Sequence, residues 1–558
     1  MNRLVNRRIR LLLAVLTFAF AGLFLRATWL QGVRAESLAR LGQTQHRETV
    51  TLPAGRGTIY DRTGVELALG ERATTVYANP KQIVNPRTAA IAVERTLGLD
   101  ADRLYGQLAD RTRGFLYVER QADPAQAAAL QRLKLPGFGF YPEERRSYPQ
   151  RTVASQLLGY VGIDGDGLSG LELGFDSPLA GRAGQETIVK DPGGRVIDVE
   201  HERPETPGRD LFLTLDHSIQ ANAEEVLRQT VHKWHAKSAS AIVLDPRTGA
   251  ILAMAVQPGF DANRFPSAPR DLQRNRTVTD TYEPGSTFKL ITVGAALSER
   301  LVSPSTRFTL PYSLHVADRV IHDAEERGTV NYSVAQILAH SSNIGAIKLA
   351  ELVGRTRLSQ WIKRFGFGRV TGIDYPGESP GIVLPPDKWS GSTIGNVPIG
   401  QGIAVTPVQM AAAYAAVANG GVWSRPHLVD HVAGGGRPSL YRRRLVSRPI
   451  ADQLMLMLKD VVAEGTGQYA AMPGYQVAGK TGTAQKPDAR GGYATGRYVA
   501  SFVGIVPASS PRFVVLVTVD EPQGAIWGGV VAAPAFQQIA RFDLQYLEVP
   551  PDAPTTTG

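Results

Sequence analysis

The N-terminus constrains this chain most. Arg3, Arg7, Arg8 and Arg10 precede a stretch, Leu11 to Leu25, without a charged residue, and apolar character resumes after Arg26 through Ala27 to Leu30. A membrane-spanning helix needs about 20 apolar residues. The run reaches that length if Arg26 snorkels to an interface. Trp29 then lies in the headgroup belt, and the arginine cluster keeps the N-terminus inside. A cleaved signal peptide shares this order of charge and apolarity, but no clean small-x-small cleavage site follows. The pattern therefore predicts a cytoplasmic tail over 1–10 and an uncleaved single-pass anchor over 11–30 in the plasma (inner) membrane, with the lipid bilayer as partner. On either reading the remainder lies outside the cytoplasm.

That remainder is long enough, in a chain of 558 residues, for two or more domains with substantial cores. The formal net charge of +10 favours anionic surroundings, such as phospholipid headgroups or phosphorylated polymers. With no zinc-finger spacing and no basic block interleaved with aromatics, nucleic acid is not expected as a partner. Much of the excess is scattered arginine, which also reads as solvated surface. Cysteine is absent, which excludes disulfides, thiolate metal sites and a cysteine nucleophile.

After a juxtamembrane helix or linker over Gln31 to Gln45, glycines bracket a short strand, and Asp61-Arg62-Thr63-Gly64 reads as a turn. Residues 86–135 carry alanine and leucine at helical spacing. Nothing over 46–205 clusters chemically reactive side chains. Leu211 to Leu215 alternates as a strand, and Asp216 caps a helix from His217. Ala241–Leu244 with Ala250–Ala255, and Val499–Val506 with Phe513–Val519, read as antiparallel pairs with helices between them. The class is therefore α+β.

Ser286 and Lys289 stand three positions apart behind the breakers Pro284 and Gly285, at the start of an apolar helix. Both side chains then share one face. A serine needs a base to become a nucleophile, and a lysine kept neutral by burial can supply one. Composition alone places roughly one or two Ser-x-x-Lys matches in a chain this long, so the pair gains meaning from its company. Ser341-Ser342-Asn343 follows an apolar helical run. It reads as a helix cap or as a proton relay (Ser341) with a hydrogen-bonding amide (Asn343). Lys480-Thr481-Gly482-Thr483 reads as a strand, with a Gly- and Asp-rich loop from Ala484 onward. Gly474 to Thr481 also matches a P-loop pattern. The strand before and helix after that a P-loop requires are missing, so no nucleotide is expected.

Ser-x-x-Lys, Ser-x-Asn and Lys-Thr-Gly in that order mark penicillin-binding proteins and class A β-lactamases. The chain resembles a class B penicillin-binding protein from its anchor to about residue 545, and looks most like the division-type subgroup, since no further domain follows the catalytic one. Arg56-Gly57 with Asp61-Arg62-x-Gly64, and Gly170-Leu171-Glu172 with Leu179, Gly181 and Gly184, match that family's pedestal. Gly400-Gln401-Gly402 with Thr406-Pro407, and Gly528-Gly529 with Ala533-Pro534, match its catalytic domain.

The resemblance implies an elongated α+β pedestal over 31–205, a transpeptidase domain over 210–547 with a five-stranded antiparallel sheet between helices, and a disordered tail over 548–558. It implies a D,D-transpeptidase that crosslinks peptidoglycan stem peptides, with Ser286 as nucleophile, Lys289 as base, Ser341 relaying the proton with Lys480 nearby, Asn343 as polar partner, and Thr481 and Thr483 binding the substrate carboxylate with Lys480 supplying positive charge. Thr481, Gly482 and Thr483 then line the substrate strand, the N–H groups of Ser286 and Thr483 form the oxyanion hole, and Trp527 walls the site or simply packs. No metal or cofactor is implied. β-Lactams follow as covalent inhibitors, and a membrane-embedded glycan polymerase and single-span division proteins as partners. The alternatives are an elongation- or sporulation-specific transpeptidase, a D,D-carboxypeptidase, a β-lactamase, and a membrane-bound β-lactam sensor or idle division scaffold.

Overall fold

The computed structural model describes residues 2–36, 47–52, 54–190, 196–437, 439–488 and 490–553. Asn2–Thr28 is an α-helix that runs on into a π-helical turn, Trp29–Val33. Within it Val5–Val33 is long and apolar enough to cross a membrane. Arg34 and Arg26 stack on the Trp29 ring, with guanidinium carbons 4.6 and 5.6 Å from its centroid. The expected juxtamembrane segment lies largely outside the described residues.

The chain forms two compact units, residues 1–55 with 181–208 and residues 56–180 with 209–558. The first holds an antiparallel three-stranded sheet in the order Arg47–Leu52, Gly184–Lys190, Val196–Arg203. Residues 56–180 of the expected pedestal fall in the same compact unit as the catalytic region. Backbone pairing is the reason. Ile59–Tyr60 pairs in parallel with Leu211–Leu213, which pairs in turn with Val429–Val432, so one ladder links the early segment to the late one. Asp61 locks this junction, because its carboxylate accepts from Thr63 N, Val65 N, His217 N and His217 Nδ1 at 2.7–3.0 Å. A buried carboxylate is tolerated only with such donors. With Asp216 and His217 it is the kind of cluster that could hold a metal, but these donors already occupy Asp61.

A second buried network sits nearby. Glu172 accepts from Arg56 Nε and Arg146 Nε at 2.7 Å each, and Arg56 Nη1 reaches Asp176 at 2.7 Å. The glycine-rich sequence blocks that matched a pedestal therefore meet as opposite charges. Within 86–135, helices Pro86–Leu97, Ala101–Ala109 and Pro124–Arg132 agree with the helical expectation, but Leu116–Ala122 is a strand. It pairs with Glu66–Ala78, and that sheet edge overrides a helical propensity that is only a weak prior.

The catalytic region is built on a five-stranded antiparallel sheet, ordered Ile251–Gln257, Ser238–Leu244, Phe513–Asp520, Tyr493–Val506, Ala478–Pro487. Its inner strands read as near-continuous apolar runs because both faces are covered. Along Phe513–Asp520, Val514 and Leu516 enter one core, whereas Phe513, Val515, Val517 and Val519 enter the other. Helices His217–Lys233 and Ala533–Tyr546 cover the second core. The larger first core holds Lys289–Ser298, Asn343–Val353, Pro407–Ala418 and most of Arg448–Ala463. Lys289–Ser298 is buried nearly all round (Leu290, Ile291, Val293 and Ala296 are fully buried), so it is a central helix without a solvated face.

Two sequence expectations differ here. The strand with Lys480 continues to Pro487 instead of opening into a loop at Ala484, because Gln485 and Pro487 still pair with Tyr498 and Tyr493. Residues 548–553 are anchored: Val549 O accepts from Tyr475 Oη at 2.6 Å, and the Asp552 carboxylate accepts from Gln476 N and Ser509 Oγ at 2.7 and 2.6 Å. Residues 554–558 of the expected tail lie outside the described residues.

Candidate active site

Ser286 lies in a 3-10 turn, Gly285–Phe288, that leads into the buried helix. The turn is pinned on several sides. Gly285 N donates to Gly400 O at 3.1 Å, Thr287 Oγ1 to Pro284 O at 2.8 Å, and Tyr414 Oη to Thr287 O at 2.8 Å. The strand carrying Lys480 presses against this turn. A Cβ at Gly482 would fall 2.3 Å from Ser501 Oγ and 2.9 Å from Pro284 O, so only glycine permits the approach. Gly285 itself has φ +54°, and a Cβ there would meet Thr483 O at 2.7 Å.

Lys289 Nζ is the hub. It stands 3.1 Å from Ser286 Oγ, 3.2 Å from Ser341 Oγ and 2.7 Å from Asn343 Oδ1, and it donates to Ser341 O. Ser341 has φ +56°, a left-handed conformation that a serine rarely holds. Such strain is tolerated where surrounding contacts enforce it. Ser342 is the N-cap of Asn343–Val353, accepting from Gly345 N at 3.0 Å. Within the second motif, Ser342 caps the helix, while Ser341 and Asn343 turn towards Lys289.

Lys289 and Lys480 are each fully buried. Burial pulls Lys289 down to about 7, opposed by the charge of Asp323. Burial, and then the neighbouring Lys289, hold Lys480 well below the usual lysine range. Two ammonium groups this close in a dry site cannot both stay charged cheaply. The hydrogen bonds of Lys480 Nζ among the described residues run to Thr481 O and Oγ1, both at 3.3 Å, and not to Ser341. Thr481 Oγ1 also meets Thr466 Oγ1 at 2.7 Å, and Thr483 Oγ1 accepts from Gly528 N at 3.1 Å. That last bond sets Trp527 beside Thr483. Trp527 itself is 48% exposed.

Sequence reasoning missed three contributors. Asp323, 8% exposed, accepts from Ser342 Oγ at 3.0 Å, from Ile344 N at 3.1 Å, and from Asn343 N and Arg327, so it clamps the second motif. Thr466 extends the third motif. Glu283 joins the nucleophile turn to two other segments, accepting from Gly402 N at 2.9 Å and Tyr493 Oη at 3.1 Å. Only Glu283 had a signal, its place three residues before Ser286.

Comparison with known proteins places this geometry. Residues 239–541 match the model of the penicillin-binding protein transpeptidase domain, and residues 51–213 that of the penicillin-binding protein dimerisation domain. Escherichia coli FtsI, a peptidoglycan D,D-transpeptidase, is 33% identical over 99% of this chain and 94% of its own length. Pseudomonas aeruginosa PbpC, a probable peptidoglycan D,D-transpeptidase, is 34% identical over 98% of this chain and 97% of its own. Among solved structures, penicillin-binding protein 3 of Mycobacterium tuberculosis complexed with aztreonam superposes with a TM-score of 0.72 at 32% identity, covering 91% of this chain and 99% of that one. Both domains, their order and the relatives agree: the chain belongs to the class B penicillin-binding proteins and is a serine-type peptidoglycan D,D-transpeptidase.

Proposed function

We propose that this enzyme crosslinks nascent peptidoglycan at the division septum through an acyl-enzyme on Ser286. The observation that carries this reading is the 3.1 Å contact between Ser286 Oγ and a buried Lys289 whose affinity for protons has fallen to about 7. Neutral Lys289 takes the hydroxyl proton as Ser286 Oγ bonds to the carbonyl carbon of the penultimate D-alanine. The backbone N–H groups of Ser286 and Thr483 hold the oxyanion; one such donor is typically worth about 10²–10³ in rate. The peptide C–N bond then breaks, and the leaving D-alanine amine receives a proton by way of Ser341. Lys480, Thr481 and Thr483 hold the substrate carboxylate, Gly482 lets the strand approach, and Trp527 borders the cleft. A neighbouring stem-peptide amine attacks the ester, its proton passes to Lys289, and Ser286 is released. β-Lactams acylate the same oxygen.

The septal assignment rests on the FtsI relative. Stage V sporulation protein D of Bacillus subtilis, 33% identical over 99% of this chain, supports a sporulation reading. The basic N-terminus before the apolar helix supports a cytoplasmic start and an extracytoplasmic catalytic domain. A glycan polymerase and single-span division proteins are the expected membrane partners.

The test is to map a fluorescent penicillin adduct by peptide sequencing and to image the tagged protein in dividing cells. A long-lived adduct on Ser286 and a mid-cell band are expected. An adduct elsewhere, or one hydrolysed within seconds, sinks the transpeptidase chemistry. An even peripheral signal, or one confined to sporulating cells, sinks the septal role alone.

A further inference from the structure

The strand Arg442–Arg444 carries consecutive arginines and pairs with Val422–Ser424. Alternation along a strand sends Arg443 to one face and its neighbours to the other. Arg442 and Arg444 spend their guanidinium groups on backbone carbonyls, those of Arg247 and Gly420, each at 3.0 Å. Arg443 donates to a carbonyl too, and in addition lies over the ring of its cross-strand partner Trp423, 4.9 Å from the centroid. Trp423 meets Tyr441 edge-on at 6.2 Å, and Arg425 covers Tyr441 at 5.2 Å. The result is a ladder of guanidinium, indole, phenol and guanidinium. Stacking of this kind fixes an arginine's orientation without using its N–H donors.

This ladder borders a cavity of about 160 Å³ lined by Arg369, Thr371, Gln409, Trp423, Tyr441 and Arg443. Arg443 donates to Arg364 O in the last helical turn of Arg355–Phe365. That helix end supplies a partial negative charge, and no carboxylate adds to it. Among the described residues none of Arg364, Arg369, Arg425 and Arg443 is ion-paired with an acid. Glu378, next to the cavity wall, is already engaged by Thr371 N, Thr371 Oγ1 and Gly372 N at 2.6–3.0 Å. Burial and the charges of Arg369 and Arg364 bring Arg443 down to about 10. Arg443 is half-buried beside the exposed Arg364 and Arg369, and the repulsion among these guanidiniums is relieved when an anion joins them.

We propose that this arginine–aromatic cavity is an anion-binding site for a phosphate-bearing ligand, separate from the acylation cleft. Phosphate suits it better than a single carboxylate, because its tetrahedral oxygens can accept from Arg369 and Arg443 at once. The phosphate could be carried by a lipid headgroup or arrive free or on a soluble polymer.

The test uses the full chain in phosphatidylcholine nanodiscs, titrated with inorganic phosphate at constant ionic strength while Trp fluorescence and melting temperature are followed. Phosphate is expected to stabilise the protein where chloride does not. The double variant Arg369→Gln/Arg443→Gln should bind at least ~10-fold more weakly. Arg443→Lys, which keeps charge but loses the fork, should fall between. Acylation by fluorescent penicillin should stay at the parent rate in each variant, which verifies folding. An equal response to chloride, unchanged phosphate affinity in the variants, or tighter binding of succinate overturns the proposal. In discs containing phosphatidylglycerol, loss of the phosphate response assigns the site to a headgroup, and its persistence assigns a soluble source.

Discussion

Two buried polar clusters in the larger unit obey opposite rules. Around Glu172 the charges match: a fully buried carboxylate takes Arg146 and Arg56, and Asp176 takes Arg56 again. Around Ser286 they do not: Lys289 and Lys480 share a dry cleft with Asp323 as the opposing charge. A matched cluster serves geometry, whereas a mismatched one keeps a group near its titration point, which is what proton transfer needs. Perturbation should therefore separate them cleanly, one cluster showing in stability and the other in rate.

The largest expected effect is Lys289→Ala. With the proposed base removed, acylation by penicillin should fall on the order of 10⁴-fold or more. Melting temperature should hold or rise, since a buried lysine is removed. A large loss of stability with little loss of rate would reverse the comparison. Glu172→Ala is the counterpart. It leaves Arg146 without a carboxylate in the interior and Arg56 with Asp176 alone, and should cost about 3 kcal/mol in unfolding, with acylation of the folded fraction unchanged. Denaturant titration and active-site counting check both halves.

Asp323 connects the two rules, being a matched charge that holds a catalytic loop. Asp323→Asn should slow acylation by about 10²-fold through misplacement of Ser341 and Asn343. It also removes the charge that raises Lys289, so the acylation midpoint should move below its parent value. The proposed mechanism needs Lys289 neutral, so rate in the parent enzyme should be flat above pH about 7 and fall about tenfold per unit below it. A stopped-flow pH profile of both proteins decides this. An unshifted midpoint would mean that Asp323 acts through geometry alone.

The same division governs what was legible in the sequence. Motif order and the apolar strands were readable because they follow local periodicity: Ser286 with Lys289 is one helical turn, and Val514 to Val519 is one buried strand. Asp323 was not readable, because its role exists only once the hairpin ending at His322 brings it beside the Ser342 cap. Arg56 with Glu172 stood out as sequence blocks, but their pairing spans 116 positions and no local rule joins them. The sharing of one compact unit by residues 56–180 and the catalytic region was hidden for a related reason, since the parallel pairing of Ile59 with Leu211 is set by tertiary contact. Leu116–Ala122 was misjudged because composition there favoured a helix and only a neighbouring edge made it a strand.

Asp543 tests whether matching matters away from both clusters. It is fully buried in the helix Ala533–Tyr546, and neither carboxylate oxygen has a partner among the described residues. Burial, followed by repulsion from Asp216, raises it well above the ordinary carboxyl range. The folded protein then holds a proton that the unfolded chain has released, so this residue lowers stability as pH rises from about 4. Asp543→Asn keeps the shape and removes the ionisation. It should stabilise the protein at pH 8 by about 1 kcal/mol, with the gain shrinking towards zero at pH about 4, where Asp is protonated in both states. Acylation should not change. A gain that persisted at low pH would come from packing rather than charge, and a loss at pH 8 would mean that the carboxylate has a partner after all.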